Sequence, residues 1–425
     1  MRKFLYLILF VMTLCVFFCS CSQKTNDVKK TSSQHEKKLK SVPNNNTKED
    51  VISEEDLEKG YDLPVSAQEN EEATRDSMQI MSGLEYIYRN ADKGDSLNVV
   101  LNNKSICKMI KKIKQQGYSV TASEDYSNME NYKRFSSFLA KVQEKQKGSG
   151  VIYEVHSEGS IGREKFIYDG KDMFLLASNA SWDDNGKPII TFVSYTRIKK
   201  WRYSRKGWFC YELCVPEYPE VTEMVDGSCL IRIKPMSDNK RKLSRKCVRG
   251  LAYQGNNILC SNWDQEHMQK IDYNGLYEYL YAMKYKKKFN GKKYPSGIPK
   301  DQFEQLIMEY LPVSREDIEK YASYNEKKKT YDWMRLGCFN YAPNFFGTSI
   351  PEVTKIKHNS NGTVTLTVDA VCEMVLCNEA VITHELTVKF NKDGSFRYLG
   401  NKILNGGIKK IPEYQYRILK EKSKR

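Results

Sequence analysis

From Thr363 to Ala370 the chain alternates without a break: Val364, Leu366, Val368 and Ala370 are apolar, and Thr363, Thr365, Thr367 and Asp369 are polar. Successive side chains of a strand point to opposite faces, so this segment must bury one face and leave the other wet, and that demand sets its register. Leu386, Val388 and Phe390 repeat the pattern, and Asn391-Lys392-Asp393-Gly394 turns the chain into Phe396, Tyr398 and Ile403. The last hundred residues therefore predict antiparallel strands packed on one side.

An earlier stretch has the same period. Beyond Val151, turn residues recur at Glu158-Gly159, Asp169-Gly170, Asp184-Asn185-Gly186, Lys206-Gly207 and Asp226-Gly227. Short strands in hairpins are expected at 151–156, 165–168, 189–195, 208–215 and 228–234. Segments of helical period precede each β region. Ser66 with Glu69 forms a capping box before Met78, Met81, Leu84, Ile87 and Tyr88. A second helix is expected from Ser105 to Gly117, with Ile106, Met109, Ile110 and Ile113 opposite a lysine face, and a third through Phe135, Phe138, Leu139 and Val142. Later helices follow Asp272 (Leu276, Leu280, Met283), run through Phe303, Leu306, Ile307 and Tyr310, and start again at Ser314 with Asp317. The expected class is α+β, with antiparallel sheets packed by helices. Leu-Pro-Val-Ser occurs at 63 and at 311, opening a helix each time. Two helix-then-sheet modules, 63–298 and 299–425, are one reading of that recurrence, and chance is the other.

The N-terminal part has a different character. Arg2 and Lys3 precede an apolar run from Phe4 to Phe18, shorter than the roughly 20 residues that cross a bilayer and suited to a signal-peptide core. Residues 1–20 are expected to be that signal peptide. Phe18-Cys19-Ser20-Cys21 resembles the box of bacterial lipoproteins, with Phe18 and Cys19 departing from the usual pattern. The resemblance makes Cys21 the lipid-attachment residue. Cleavage after Ser22 and retention as an uncleaved anchor fit the same residues, and all three outcomes place the body outside the cytoplasm. Between Ser22 and Asp50 only Val28, Leu39 and Val42 are apolar, so no core forms there. Residues 21–62 read as a disordered tether with a root-mean-square span of roughly 35 Å.

Searching the 425 residues for chemistry returns mostly exclusions. There is no Walker loop, no Gly-x-Gly-x-x-Gly after a strand and no Gly-x-Ser-x-Gly elbow. His384-Glu385 lacks the second His of a zincin and lies in a strand pattern, which sends neighbouring side chains to opposite faces. With five His in total and no Cys-x-x-Cys, neither a metal site nor a cofactor is expected. Nine cysteines lie in the body, an odd number, so at least one thiol is free unless it pairs between chains. Without Arg2 and Lys3 the chain has 66 basic against 53 acidic side chains, a surplus suited to an anionic envelope polymer or acidic ligand. Nucleic acid is not expected as a partner, given the location. Trp208 and Trp263, with Asp264, are the candidate ligand-binding residues, because exposed aromatic rings stack on sugars or line clefts. The competing reading makes both indoles core.

Four segments carry a family resemblance: Gly207-Trp208-Phe209-Cys210-Tyr211-Glu212, Gly255-Asn256-Asn257-Ile258-Leu259-Cys260-Ser261-Asn262-Trp263-Asp264, Tyr273-Asn274-Gly275-Leu276-Tyr277-Glu278-Tyr279 and Leu336-Gly337-Cys338-Phe339-Asn340-Tyr341. From Leu63 onward the chain is similar to an uncharacterised family of lipoprotein-like exported proteins of Gram-positive gut bacteria, a domain of unknown function. The resemblance implies a cellular setting and no catalytic residue. Combined with the leader, it leads to an expected membrane-anchored, extracytoplasmic binding module. The alternatives are an exported hydrolase, whose site gathers His156 or His384 with a carboxylate and a Ser or Cys from distant parts of the chain, and a purely structural envelope protein.

Overall fold

The computed structural model describes residues 52–94, 98–124, 126–337, 340, 347–372, 380–407 and 413–418, with side chains left out at 405–407. Cys21, the signal core, most of the tether, Cys338 and Cys377 lie outside these residues. The fold is α+β, as the periodicities require. Among the described residues the helices are α1 (Glu54–Lys59), α2 (Ala67–Arg89), α3 (Asn103–Gln115), α4 (Tyr132–Gln143), α5 (Asp238–Leu243), α6 (Tyr273–Tyr285), α7 (Lys300–Tyr310) and α8 (Arg315–Tyr321). The strands are β1 (Ser119–Ala122), β2 (Gly148–Val155), β3 (Ile161–Tyr168), β4 (Met173–Trp182), β5 (Pro188–Tyr203), β6 (Trp208–Leu213), β7 (Ser228–Arg232), β8 (Trp263–Asp264), β9 (Ile298–Pro299), β10 (Tyr324–Asn325), β11 (Thr330–Tyr331), β12 (Ile350–His358), β13 (Val364–Val371), β14 (Ile382–Phe390) and β15 (Phe396–Gly407). The chain divides into two compact units. One holds residues 1–120, 137–199 and 213–227, and the other holds 121–136, 200–212 and 228–425. The 298/299 division of the sequence reading falls inside the second unit, within β9.

In the first unit β2, β3, β4 and β5 form an antiparallel meander, and α2 and α3 pack on one face of it. The capping box is present: Glu69 N–H donates to Ser66 Oγ at 3.2 Å and Ser66 N–H to Glu69 Oε2 at 3.2 Å. Helix α3 starts two residues before Ser105, because Asn102 Oδ1 accepts from Ser105 N–H at 2.9 Å and serves as the cap. Strand β4 was not expected. Its sequence, MFLLASNASW, has no two-residue alternation, and six consecutive residues from Met173 to Ser178 are buried. A strand covered on both faces loses the pattern that reveals a half-buried one. Residues 52–62, where the sequence reading puts the end of the tether, contain helix α1. Ile52 and Leu57 pack against Leu63, Phe174, Leu176 and Tyr195, and Gly60 O accepts from Arg197 N–H at 2.7 Å.

Helix α2 is held to the sheet by charge as well as by apolar contact. Arg163 on β3 is fully buried, and its Nη2 donates to Glu72 Oε1 and Asp76 Oδ2, both at 2.8 Å, while Lys165 Nζ reaches Glu72 at 2.8 Å. Burial opposes the Glu72 charge, but Lys165 and then Arg163 outweigh it and hold the carboxyl below its ordinary range.

The second unit is organised on β12–β13–β14–β15–β8, all antiparallel neighbours. The alternation from Thr363 onward behaves as expected, with Leu366, Val368 and Ala370 fully buried in a core shared with α6, α7 and Ile318 of α8. Ser314 caps α8, accepting from Asp317 N–H at 3.1 Å. Both Leu-Pro-Val-Ser segments thus end in a helix cap, but the helices they open differ in length, 23 residues against 7.

The Arg163 cluster predicts an asymmetry. Removing both carboxylates, Glu72→Ala with Asp76→Ala, strands a buried guanidinium and lowers unfolding free energy by roughly 3–5 kcal/mol. Arg163→Met removes the buried charge itself and costs less, so urea denaturation of the two variants should rank them in that order.

Candidate functional site

One segment concentrates the basic surplus. Lys240, Arg241, Lys242, Arg245, Lys246 and Arg249 fall within ten residues that contain no acid. Helix α5 covers the first three and continues into a π-helical turn, Ser244–Val248, closed by Arg249 N–H donating to Ser244 O at 2.9 Å. Such turns are rare and recur at functional sites. This one is pinned from inside: Cys247 and Val248 are fully buried, Tyr398 OH donates to Cys247 O at 2.6 Å, and Val353 N–H donates to Ser244 Oγ at 3.0 Å. With those residues committed to the core, Arg245, Lys246 and Arg249 line a cleft of about 470 Å³.

Lys286 joins them from the left-handed C-cap of α6 (φ 54°), and Met283, Tyr310 and Phe396 supply apolar surface. Gly250 is required by close approach, since a Cβ there would lie 2.1 Å from Met283 Cγ. Lys246 is positioned by Gly394 O, which accepts from its ammonium, and by the Phe390 ring, whose centroid is 5.0 Å away. Arg249 Nη1 lies 3.3 Å from Glu124 Oε1, and Arg245 Nη2 lies 3.6 Å from Glu124 Oε2. The one acid in the lining, Glu309, pairs with Lys284 outside it. The cleft therefore presents four cations over an apolar floor, an arrangement that holds an anion attached to a partly apolar body. The acid-free basic run was the available sequence signal. Reading charge only as a whole-chain surplus missed it.

The expected ligand residues lie elsewhere. Trp208 is buried with Cys210 and Val371, and its Nε1–H donates to Glu352 Oε2 at 2.9 Å. Arg232 stacks on the indole at 5.0 Å and pairs with the same carboxylate. Burial pushes the Glu352 carboxyl up, opposed by Arg232 and Trp208. Directly across the strands, Asp369 accepts from Lys206 and, at 2.7 Å, from Thr383 Oγ1. Trp263 is in the main core of the second unit, with Nε1–H donating to Ile258 O at 2.9 Å. Asp264 is exposed and closes a turn, accepting from Glu266 N–H and His267 N–H at 3.0 Å. A further bond from His267 Nδ1, at 2.7 Å, is the main reason its carboxyl sits below the ordinary range. None of the three lines the cleft.

His384 is wholly enclosed. Asn401 Nδ2 donates to Leu259 O and Ser261 O, so Asn401 Oδ1 is the acceptor for His384 Nδ1–H at 2.6 Å. The neutral ring then accepts at Nε2 from Tyr253 OH, 3.0 Å away. Burial pushes the imidazole down from 6.5 to about 4. This triad is a structural bridge between β14, β15 and the segment before β8, with no exposure to a substrate. Among the described residues no group of three or more His, Cys, Asp or Glu is placed to hold a metal ion, and Cys107, Cys247 and Cys260 are free thiols.

Two of the segments that carry the family resemblance meet at Arg417. Its guanidinium donates to Gly255 O at 2.7 Å, Gly275 O at 3.0 Å and Met334 O at 3.1 Å, and pairs with Glu278 at 2.7 Å. A Cβ on Gly255 would lie 2.4 Å from Tyr279 Oη, and one on Gly275 would lie 2.4 Å from Asp272 Oδ2. Residues 70–417 match a family of unknown function, DUF6070, and the chain belongs to that family. No curated protein matches the chain, and no solved structure does.

Because folded His384 resists protonation, its contribution to stability is complete above pH 6.5 and is lost as pH falls through about 4. Denaturation at pH 7 and pH 4.5 should show wild type losing about 2–3 kcal/mol more than His384→Gln between the two, from 1.36 kcal/mol per unit of pKa displacement.

Proposed function

We propose that this protein is a membrane-anchored extracytoplasmic lipoprotein, attached through Cys21, whose body binds an anionic component of the cell envelope in the Arg245–Lys246–Arg249–Lys286 cleft. The observation that carries the binding reading is the π-turn itself. It gathers basic residues on a pinned, partly apolar cleft instead of leaving them on a freely solvated face. The setting is supported by the leader from Phe4 to Phe18, the cysteine after it and the polar segment that follows. No helix among the described residues is long and apolar enough to cross a membrane, so anchoring rests on the leader and its cysteine. A polyanion meeting these cations releases counterions, which makes affinity fall with salt.

Full-length protein titrated with polyphosphate should bind more weakly as salt rises. Replacing Arg245, Lys246 and Arg249 together by Gln should weaken binding by roughly tenfold or more. Equal binding by that variant removes the cleft from the reading. Anchoring is checked separately by mass spectrometry of the N-terminal peptide: a diacylglyceryl mass on Cys21 is expected, and an unmodified N-terminus at Gln23 refutes it.

A further inference from the structure

We propose that residues 286–294, which leave the cleft at Lys286, are a second contact surface for the same ligand, and that this ligand is a linear polyanion whose chain runs out of the cleft along a ridge of lysines. This inference rests on the cleft being an anion site and adds the class of ligand and the path it takes beyond the cleft.

Lys286 lines the cleft and opens the run Lys286-Lys287-Lys288-Phe289-Asn290-Gly291-Lys292-Lys293-Tyr294, in which every lysine is exposed. No Asp or Glu occurs between Glu278 and Asp301. The flanking acids and the one in the cleft are matched elsewhere: Glu278 pairs with Arg417 at 2.7 Å, Asp301 with Arg315 at 3.0 Å, and Glu309 with Lys284. A run of lysines is by default a solvated face, and what distinguishes this one is its anchor. Phe289 turns inward among Tyr277, Tyr281, Tyr294 and Trp333, with ring centroids 5.3, 5.2, 5.4 and 5.1 Å away. Gly291 lies against the indole, since a Cβ there would be 1.9 Å from Trp333 Cζ3. Asn290 Oδ1 accepts from Lys292 N–H at 3.1 Å, and Tyr294 N–H donates to Gly291 O at 2.9 Å. With the aromatic residues committed inward, the lysines on both sides of Phe289 are held outward. Consecutive Cα atoms stand about 3.8 Å apart, so the ridge continues from Lys286 to Lys288 within about 8 Å. A single small anion in the cleft leaves these ammonium groups unused. A chain with charges repeated along it sets one group in the cleft and tethers the next at high effective concentration over the ridge. An anionic bilayer also attracts lysines, but its headgroup plane does not follow a ridge down into a concave cleft, so the continuity at Lys286 favours a thread over a plane.

Calorimetric titration of full-length protein compares pyrophosphate with long-chain polyphosphate at equal phosphate content, so that a long chain gains nothing merely from offering more sites. Wild type should bind the long chain at least about tenfold more tightly and with a steeper salt dependence. Replacing Lys287, Lys288, Lys292 and Lys293 together by Gln should remove most of that gain, flatten the salt slope by about 0.7 for each lysine engaged, and leave pyrophosphate binding unchanged. Taking the same charge from the exposed face of α3, with Lys104, Lys108, Lys111 and Lys112 replaced by Gln, should leave both affinities within about twofold of wild type. Equal losses in the two quadruple variants mean that only net charge is read, and overturn the ridge. Equal wild-type affinities for the two probes overturn the polymer and leave the anion cleft standing. If neither probe binds, or if the cleft variant with Arg245, Lys246 and Arg249 replaced binds both as wild type does, the reading of the cleft itself fails, and this inference with it. Vesicles containing phosphatidylglycerol test the other partner: binding tighter than that of long-chain polyphosphate and lost in the ridge variant assigns the ridge to a bilayer and overturns the polymer, whereas weaker binding supports it.

Discussion

Burial of one face of β13 is the constraint on which the second unit depends. Leu366, Val368 and Ala370 lose all contact with water, and that apolar face receives the residues that organise the rest: Cys247 and Val248 of the π-turn, Leu276 and Leu280 of α6, and Leu306 and Ile307 of α7. Each fully buried aliphatic side chain contributes about 1.5–3 kcal/mol relative to exposure, which exceeds what any single surface ion pair supplies. The cleft is a consequence. Once Cys247 and Val248 are drawn inward and Tyr398 and Val353 bond to the turn, the cations between and after them have only the outward side left.

Polar groups inside the protein are mostly neutralised in place. Arg163 meets two carboxylates, Arg232 and Trp208 share Glu352, and Lys206 and Thr383 share Asp369. Glu304, fully buried, receives Arg315 Nη1 and Tyr331 OH, each at 2.7 Å. An unpaired buried charge costs several kcal/mol, so these pairings are conditions of the fold more than additions to its stability. The cleft follows a different rule. Arg245 and Arg249 lie 3.6 and 3.3 Å from the partly exposed carboxylate of Glu124, and Lys246 is held by the Gly394 carbonyl and the Phe390 and Phe396 rings.

The readings that succeeded from sequence were those governed by neighbours along the chain. Ser66 with Glu69, Ser314 with Asp317 and the Asn391–Gly394 turn are local hydrogen-bonding arrangements, and the β13 alternation is a strict two-residue period. The failures share one cause. Strand β4 is buried on both faces and has no period to detect. Trp208, two residues after Lys206, and Trp263, between Asn262 and Asp264, were candidates for an accessible site, yet each indole N–H is satisfied inside by an acceptor at sequence distance 144 or 5.

Sequence alone determined the α+β class, the helix caps and the alternating strands, because propensity, capping and periodicity act over a few residues. It also supplied three of the four cations of the cleft, Arg245, Lys246 and Arg249, in an acid-free run from Lys240 to Arg249. Only the tertiary structure decided that this run widens into a π-turn, that Lys286 and Phe396 meet it from positions 37 and 147 residues beyond Arg249, and that Glu124 arrives from 121 residues before Arg245. Those contacts depend on which faces of distant elements are buried together, and no local pattern encodes that choice.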